Sequence, residues 1–466
     1  VGNFNFIFMN TNTLRFLVIV VLCNLNYTFS QCYDSFALGY QFTLALKSDG
    51  TLLSAGENNY GELGNGTYQN GNAFTAISGT NWSKIGANEQ YSVGLKSDGT
   101  IWTWGRNNFG LLGQGDLLDR NVPTQIGTET TWSKISAGKF HILAIKTDGT
   151  LWAWGNNNYS QLGDGTVTNR LAPVQIGTDN DWAEIEGGYL TSMAIKNNGT
   201  LWSWGSNWYG QFGNGTTNSA TTPIQIGVEN NWSKISLGSD HVLAIKNDGT
   251  LWTWGRNTDG QLGDGTFINN SSAIQKGVGF TWSDIDGFDN HSLAIRSDGS
   301  LWAWGYNANR QLGDGTSIRK NILTQIGSLT NWHKIQTGGT HSFGTTIDET
   351  YLNWGSNFYG QLGNGTNINN IIPTNSGCST LNTPSNVSLK VNIYPNPASE
   401  FVYVELINNS IKTIDIIDIT GRLVSTKKNL LTSNYFLDTS TLQQGTYLLK
   451  ITTDTNILLI ERVVIK

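Results

Sequence analysis

The stretch HILAIKTDGTLWAWGNNNYSQLGDGT, from His141 to Thr166, decides the fold because the chain repeats it. Close copies begin at Thr191 and at His241, each 50 residues further on. Two apolar runs flank Asp148-Gly149, and Asp-Gly suits the positive φ of a tight hairpin turn. The stretch therefore predicts two antiparallel strands followed by a glycine-rich loop.

Seven copies of this pattern follow one another at nearly constant spacing. A W-S-K-I strand precedes each hairpin, as at Trp132, with Tyr33 in the first copy, and a P-x-Q-I-G strand follows the loop, as at Pro173. The turn residues are Asp49, Asp98, Asp148, Asn198, Asp248, Asp298 and Asp348. Four short strands in each copy predict one blade, and seven blades close a ring without exposed edges. We predict an all-β fold with a seven-bladed β-propeller over residues 31–377.

The composition fits short strands and argues against some partners. The 466-residue chain contains 55 Gly and 18 Trp, and only 13% of its residues are charged. This balance favours tight turns over amphipathic helices. The formal charge is −6, and the sequence has no basic run, so we expect no nucleic-acid partner.

The N-terminal residues predict export. Residues 14–27, LRFLVIVVLCNLNY, place an apolar run after Arg15 and before the small residue Ser30. This order predicts a signal peptide over residues 1–30, with residues 1–8 upstream of a true start at Met9. The run is shorter than a membrane span requires, so we expect no integral membrane segment in the mature chain.

The repeated residues carry a family resemblance. The pattern W-x-x-I…G…H-x-x-A-I-K-x-D-G-x-L-W-x-W-G-x-N-x-x-G-Q-L-G-x-G-T, recurring over residues 33–377, resembles the repeat of the regulator of chromosome condensation family. The resemblance implies a seven-bladed propeller. It leaves the function open, because one fold hosts many unrelated sites. Members of the family include a nuclear exchange factor for a small GTPase and a secreted bacterial inhibitor of β-lactamases.

The C-terminal residues form a different module. A polar linker at 378–390 leads to residues 391–466, where alternating apolar strands separated by Asn, Gly and Ser predict a small β-sandwich. The module resembles the type A C-terminal sorting domain of the type IX secretion system of Bacteroidetes. The matching residues include Tyr394, Pro395, Asn396, Pro397, Gly421, Gly445 and Lys466. The resemblance implies the type IX machinery as a partner and a secreted or outer-surface location.

Two cysteines flank the predicted ring. Cys32 lies directly before the first copy, and Cys378 lies directly after the last. Because a closed ring brings these ends together, we predict a Cys32–Cys378 disulfide, which an extracellular compartment would preserve. Two free thiols are the alternative.

Histidine recurs at the start of one strand without predicting a metal site. The positions are His141, His241, His291 and His341, but the same register holds Phe42, Tyr91 and Thr191 in the other copies. Phe and Thr cannot replace a ligand, and neighbouring blades usually separate equivalent positions too far for one ion. We interpret these histidines as hydrogen-bonded structural residues and expect no bound metal.

The glycine-rich loop also predicts scaffold rather than chemistry. Its Asn is identical in all seven copies, as at Asn157, and such an Asn commonly bonds its own turn. The acidic positions Asp164, Asp264 and Asp314 are amides in the other copies, and the sequence has no G-x-S-x-G elbow. We expect no catalytic residue and no cofactor, and we leave open calcium bound at one of these loops.

The two residues that follow this Asn vary while their frame stays fixed. Copies five and six are polar there, and the other copies supply aromatic side chains, namely Tyr60, Phe109, Tyr159, Trp208, Tyr209, Phe358 and Tyr359. Loops on a rigid scaffold are where binding residues concentrate, and aromatic residues anchor interfaces. These residues therefore predict a binding surface, with packing against neighbouring loops as the alternative.

Three functions remain open at the level of sequence. The first is a secreted, non-enzymatic propeller that recognises a protein or a glycan through its aromatic positions. The second is a secreted hydrolase or lyase with a site at one end of the channel. The third is guanine-nucleotide exchange, which the export signals and the even repeat spacing disfavour.

Overall fold

The computed structural model describes residues 33–375, 390–407, 410–453 and 458–466. The chain divides into two compact units, Val1–Cys378 and Ser379–Lys466. In the described ranges, all regular secondary structure is β-strand. These ranges contain no helix long and apolar enough to cross a membrane.

The first unit contains seven four-stranded antiparallel sheets within residues 33–375, each built from one copy of the repeat. Blade 1 is β1 Ser35–Leu38, β2 Phe42–Leu46, β3 Leu52–Gly56 and β4 Gly71–Ala76. Blade 2 is β5 Trp82–Asn88, β6 Tyr91–Lys96, β7 Ile101–Gly105 and β8 Arg120–Gln125. Blade 3 is β9 Trp132–Ala137, β10 His141–Lys146, β11 Leu151–Gly155 and β12 Arg170–Gln175. Blade 4 is β13 Trp182–Gly187, β14 Thr191–Lys196, β15 Leu201–Gly205 and β16 Ala220–Ile226.

The remaining blades repeat the same order of strands. Blade 5 is β17 Trp232–Leu237, β18 His241–Lys246, β19 Leu251–Gly255 and β20 Asn270–Lys276. Blade 6 is β21 Trp282–Phe288, β22 His291–Arg296, β23 Leu301–Gly305 and β24 Lys320–Gln325. Blade 7 is β25 Trp332–Thr337, β26 His341–Thr346, β27 Tyr351–Gly355 and β28 Asn370–Asn375. The predicted propeller is confirmed.

The hairpin turns form as their sequence predicts. Gly149 adopts φ +82° in the turn between β10 and β11, and Asp148 Oδ1 accepts a hydrogen bond from Thr150 N at 3.0 Å. The carboxylate thus closes the turn locally, while glycine supplies the left-handed conformation.

The first strands of neighbouring blades contact one another around a central channel, and β1 contacts β25. At that closure, Gly339 N donates to Gly39 O at 3.2 Å. No described strand of one repeat joins the sheet of another blade. The ring is therefore closed by contacts between blades rather than by strand exchange.

A buried tryptophan joins each blade from the second onward to the blade before it. The third strand of blade 4 contains Trp204, whose indole Nε1 donates to Gln161 O of blade 3 at 3.0 Å. The same bond runs from Trp104, Trp154, Trp254, Trp304 and Trp354 to Glu62, Leu111, Gln211, Gln261 and Gln311. Gly163 lies directly against the Trp204 ring, where a Cβ atom would approach Nε1 to 2.7 Å. Only glycine fits there, because any side chain would clash with the indole.

The junction between blades 7 and 1 replaces this tryptophan. Blade 1 has Ala55 in its place, and Phe74 of β4 fills the space instead. A Cβ atom on Gly363 would lie 2.3 Å from Phe74 Cε2, just as glycine meets tryptophan at the other junctions. Tyr33 adds a hydrogen bond across the junction from its backbone N to Tyr351 Oη at 2.8 Å.

The second unit is the predicted β-sandwich. One sheet has the order β29 Lys390–Tyr394, β30 Phe401–Ile407 and β33 Asn434–Asp438. The other has the order β32 Leu423–Thr432, β31 Ile411–Asp418, β34 Gly445–Thr453 and β35 Leu458–Ile465. Apolar side chains of both sheets form one core, including Val402, Val404, Leu437, Ile414 and Leu449.

Phe74 provides a test of the closing junction. The Phe74→Ala variant should lower the free energy of unfolding by about 2–4 kcal/mol, because it opens a cavity against Gly363. Chemical denaturation of the purified chain measures this change. Phe267→Ala removes an exposed ring and should change the value by less than about 0.5 kcal/mol. Equal losses in the two variants would show that Phe74 does not fill the place of the missing tryptophan.

Candidate functional site

All seven predicted aromatic residues lie at one end of the propeller. In blade 3, His141 pairs with Gly155 and Gly155 pairs with Arg170, so residues 156–169 lie at the same end as the turn 138–140. The other blades share this arrangement. We call this end the loop face; it comprises the loops between third and fourth strands and the turns between first and second strands. The opposite end, with turns such as 147–149 and links such as 176–181, is the hairpin face.

The predicted aromatic residues divide into exposed and half-buried groups. Trp208 is 56% exposed, Tyr159 is 42% exposed and Phe358 is 72% exposed. The rings of Tyr159 and Trp208 meet edge to face at 5.0 Å, across the junction of blades 3 and 4. Tyr60, Phe109, Tyr209 and Tyr359 are half-buried. The structure thus places exposed rings in blades 3, 4 and 7.

The half-buried rings pack against their neighbours. Phe109 lies 5.5 Å from Phe140 and contributes to an apolar cluster. The Arg106 guanidinium stacks on Tyr60 at 4.6 Å, and the Arg256 guanidinium lies 5.5 Å from the Tyr209 ring. Packing against neighbouring loops, the alternative to binding, therefore describes part of the set.

The turns around the channel mouth supply residues that the sequence reasoning missed. Lys139 Nζ lies 4.7 Å from the Tyr189 ring and 5.9 Å from the rings of Tyr40 and Phe140. Glu89 Oε1 lies 3.1 Å from the same ammonium group. These residues come from four blades. In the sequence, these residues belong to a two-residue turn before the second strand of each repeat. The turn varies between copies while the residues around it stay constant, as they do around the aromatic positions.

Exposed apolar side chains on the loop face form a second set, which we call the apolar rim. Large exposed side chains follow the glycine-rich loop in most blades, namely Tyr68, Leu117, Leu118, Val167, Phe267, Ile268, Ile318 and Ile368. Arg310 also lies on this face, with φ +65° at a position where most copies have glycine. The sequence shows Arg310 as a departure from the repeat.

The four histidines join blades, as the structural interpretation predicts. His141 Nε2 lies 2.8 Å from Ser192 Oγ of the next blade, and His241, His291 and His341 make the same contact with Ser292, Ser342 and Thr43. Burial lowers the pKa of each histidine to about 3. The imidazoles are therefore neutral at physiological pH.

The repeated Asn and Asp side chains hold the glycine-rich loop together. Asn157 Oδ1 accepts from Leu162 N at 3.0 Å, and its Nδ2 donates to Asp164 Oδ1 at 2.9 Å. Asp164 also accepts from Thr166 N and from Arg170, and Asp264 and Asp314 make similar bonds. Within the described parts of the chain, no group of three or more His, Cys, Asp or Glu could hold a metal ion.

Some predicted features lie outside the described residues. They are the signal peptide over 1–30, both cysteines of the predicted disulfide, Cys32 and Cys378, and most of the linker. The sorting motif is described. Asn396 Oδ1 accepts from Val464 N at 3.0 Å, and Lys466 N donates to Ala398 O at 2.8 Å, so the motif binds the last strand. Gly421 adopts φ +86° in the turn between β31 and β32.

The channel contains two carboxyl groups that no sequence pattern indicated. Glu186 and Asp286 line a chamber of about 160 Å³ between the first strands. Glu186 accepts from Ser136 Oγ at 3.0 Å, and Asp286 accepts from Thr337 N at 2.5 Å. Burial, and then the charge of Asp286, raises the pKa of Glu186 to about 8, while burial raises the pKa of Asp286 to about 6.

These carboxyls predict a pH dependence of stability. Because the folded chain holds the Glu186 proton more tightly than the unfolded chain does, the free energy of unfolding should fall as pH rises from about 4.5 to about 8. Over this pH window, the free energy of unfolding of the Glu186→Gln variant should fall by about 1–3 kcal/mol less than that of the parent chain. Urea unfolding at pH values below and above the window measures the difference, with Glu229→Gln on the hairpin face as the control. An unchanged pH profile in Glu186→Gln would contradict the assignment.

Comparisons with known proteins agree with this architecture. The RCC1-like domain model matches residues 30–276, and the regulator of chromosome condensation (RCC1) repeat model matches residues 298–344. The secretion system C-terminal sorting domain model matches residues 392–466, which supports export to the cell surface or secretion. No curated protein matches the chain.

Solved structures share the fold at low sequence identity. Prp20p from Saccharomyces cerevisiae is 23% identical over 68% of this chain and 83% of that chain, with a TM-score of 0.61. Yeast RCC1 (Prp20) bound to Kap60 is 22% identical over 66% and 78%, with a TM-score of 0.59. Human WBSCR16 is 18% identical over 67% and 87%, with a TM-score of 0.61.

The family match covers more than half of the chain, and the seven sheets form the matching ring. The chain therefore belongs to the RCC1-like domain family, and a secretion system C-terminal sorting domain follows its propeller.

Proposed function

We propose that this protein is a secreted or cell-surface binding protein, without enzymatic activity, whose loop face recognises a protein or a glycan. The observation that carries the proposal is the exposure of Tyr159, Trp208 and Phe358 on one end of a rigid ring. The sorting domain delivers this ring to the outside of the cell through the type IX machinery.

The repeat provides an internal control for this proposal. The position of Trp208 holds Asn59, Asn108 or Asn158 in the preceding copies, so the blade does not need an aromatic side chain there. More than half of the Trp208 side chain stays exposed in the free protein although it contacts Tyr159, and Trp is a frequent anchor of binding sites. The departure therefore supports a role in recognition.

The apolar rim points the same way. Leu118, Ile268 and Ile368 follow the loops around the aromatic residues and are exposed. Monomeric soluble proteins rarely keep broad apolar surfaces, and such surfaces commonly mark interaction sites. Exposed aromatic rings also suit stacking on sugar faces, so both ligand classes belong to the proposal.

One observation favours a second function, a hydrolase or lyase that uses the channel. Glu186 and Asp286 have different raised pKa values, as general acid and base pairs often do. Their chamber holds about 160 Å³, whereas small-molecule sites usually hold about 300–1,000 Å³. The size disfavours this function. Hydrolysis of glycan or ester substrates that stops in a Glu186→Gln variant would support it.

The loop face is tested by removing its exposed rings. The variant Tyr159→Ala/Trp208→Ala/Phe358→Ala should reduce capture of ligand at least about tenfold, because each aromatic anchor contributes about 1–2 kcal/mol or more. The full exported chain is immobilised and exposed to a glycan array and to a lysate of host or prey material. Bound material is then quantified.

A matched variant controls for lost apolar surface. Val228, Phe280 and Ile347 are exposed on the hairpin face, and their replacement by Ala should leave capture unchanged. Both variants must show the thermal unfolding of the parent chain. Equal capture by the parent chain and the loop-face variant would contradict the proposal.

A further inference from the structure

Blade 1 departs from the repeat at one buried position of the loop face. Five copies have glutamine there, at Gln161, Gln211, Gln261, Gln311 and Gln361, and the second copy has Leu111. The glutamine serves two partners. Gln161 Oε1 accepts from Tyr159 N at 2.9 Å, and its Nε2 donates to Asn156 Oδ1 at 2.8 Å. Both ends of the amide are therefore used.

Blade 1 has Glu62 at this position and can fill only half of that role. Glu62 Oε2 accepts from Tyr60 N at 2.7 Å, as the glutamine oxygen does. Glu62 Oε1 takes the place of the donating amide group, and it has no hydrogen-bond partner among the described residues although the side chain is fully buried. A buried carboxylate oxygen without a donor destabilises the folded chain, and glutamine would avoid this cost.

Two more carboxyl groups lie nearby, because the charge of Glu57 acts on Glu62 and the charge of Glu89 acts on Glu57. Glu57 is buried and accepts from Asn59 Nδ2 at 2.6 Å. Glu89 bonds Lys139 through Oε1, whereas its Oε2 also has no partner among the described residues. Burial, and further the charge of Glu57, raises the pKa of Glu62 to about 7. Burial raises the pKa of Glu57, and the charge of Glu89 raises it further, whereas the hydrogen bond from Asn59 lowers it.

The cations nearby are already engaged. Lys139 pairs with Glu89, and Arg106 donates to Gln90 Oε1 at 2.6 Å while it stacks on Tyr60. Tyr40 lies near the same carboxyls. Burial, and then the charges of Asp289, Glu89 and Glu57, raise the pKa of Tyr40. The channel mouth over blades 1 and 2 thus has more carboxyl groups than paired cations.

We propose that the cluster of Glu57, Glu62 and Glu89 receives a lysine ammonium or arginine guanidinium group from a protein partner. The inference rests on the proposed function and narrows its ligand to a protein with basic side chains. Both unpartnered oxygens are buried, so the cation would act on them through its charge, which would offset the charge of the cluster. The ring of Tyr40 lies 5.9 Å from Lys139 Nζ, so an aromatic ring that can interact with a cation is present at the same channel mouth. A neutral sugar would not offset this charge.

The geometry favours an organic cation over a metal ion, since the described residues contain no group of three or more acidic or histidine side chains that could hold a metal. Glu89 is the accessible member of the cluster, with 24% of its side chain exposed. It therefore meets the incoming cation first, and Glu62 contributes its charge from the buried side.

The test uses short acetylated glycine–lysine and glycine–glutamate peptides as probes of the full exported chain. Fluorescence anisotropy should detect binding of the lysine peptide and not of the glutamate peptide. The variants Glu62→Gln and Glu89→Gln should each weaken lysine-peptide binding about tenfold. Glu62→Gln should also unfold at a higher temperature than the parent chain, because it restores the amide found in five copies.

A second readout isolates Glu62. Because a bound cation lowers the pKa of a nearby carboxyl, lysine-peptide binding at neutral pH should release protons. Calorimetry in two buffers of different ionisation enthalpy measures this release, which should shrink in Glu62→Gln. The control Glu229→Gln removes one negative charge from the hairpin face, where Glu229 pairs with Lys246 at 3.1 Å.

Three results would overturn the inference. They are equal weakening by Glu62→Gln and Glu229→Gln, unchanged binding in Glu62→Gln and Glu89→Gln, and no binding of the lysine peptide by the parent chain. In each case the loop face is judged separately. If the exposed aromatic residues are still needed for capture, the binding function stands and only the cationic ligand is wrong.

Discussion

The hydrogen bond from a buried indole N–H to a carbonyl of the preceding blade is the contact on which the ring depends. Trp204 illustrates it, with its ring fully buried and Gly163 directly beneath it. An unpaired indole N–H and an unpaired carbonyl would both be costly in that position. The indole ring leaves room only for glycine at that position of the loop, and its contact holds the loop in place. Each blade therefore positions part of the loop face of the preceding blade.

The one junction without this tryptophan shows how far the constraint extends. Ala55 leaves space at this junction, and Phe74 of another strand packs against Gly363 there, so the junction stays filled although the indole bond is lost. Conservation of packed volume is what a dense interior requires. Departures that keep volume, such as Phe74, therefore belong to the scaffold. Departures that expose a ring, as Trp208 does, or leave a buried carboxyl oxygen without a partner, as Glu62 does, do not fill space in the core. We assign them to the proposed binding function.

The ring, the sandwich and the loop positions were predictable from the sequence because each depends on a short-range pattern. The Asp148-Gly149 turn and the repeat period suffice to predict a blade, and a shared register places Tyr159 and Trp208 at the same end. Contacts between blades depend on the curvature of the ring, which no single repeat encodes. The approach of Lys139 to Tyr40 and the presence of Glu186 and Asp286 in one chamber were therefore not predictable. The sequence shows Glu62 as a departure from the repeat. It does not show the unpartnered oxygen, because that depends on where the amide group of the replaced glutamine points in the structure.

Hydrogen–deuterium exchange of the full exported chain, alone and with its captured ligand, tests most directly whether recognition occurs at the loop face. We expect protection on binding to be confined to the loops at 57–70, 156–169, 206–219 and 356–369 and to the turns around the channel mouth. Protection that instead covers the hairpin-face turns, such as 147–149 and 247–249, would contradict the assignment of the binding surface.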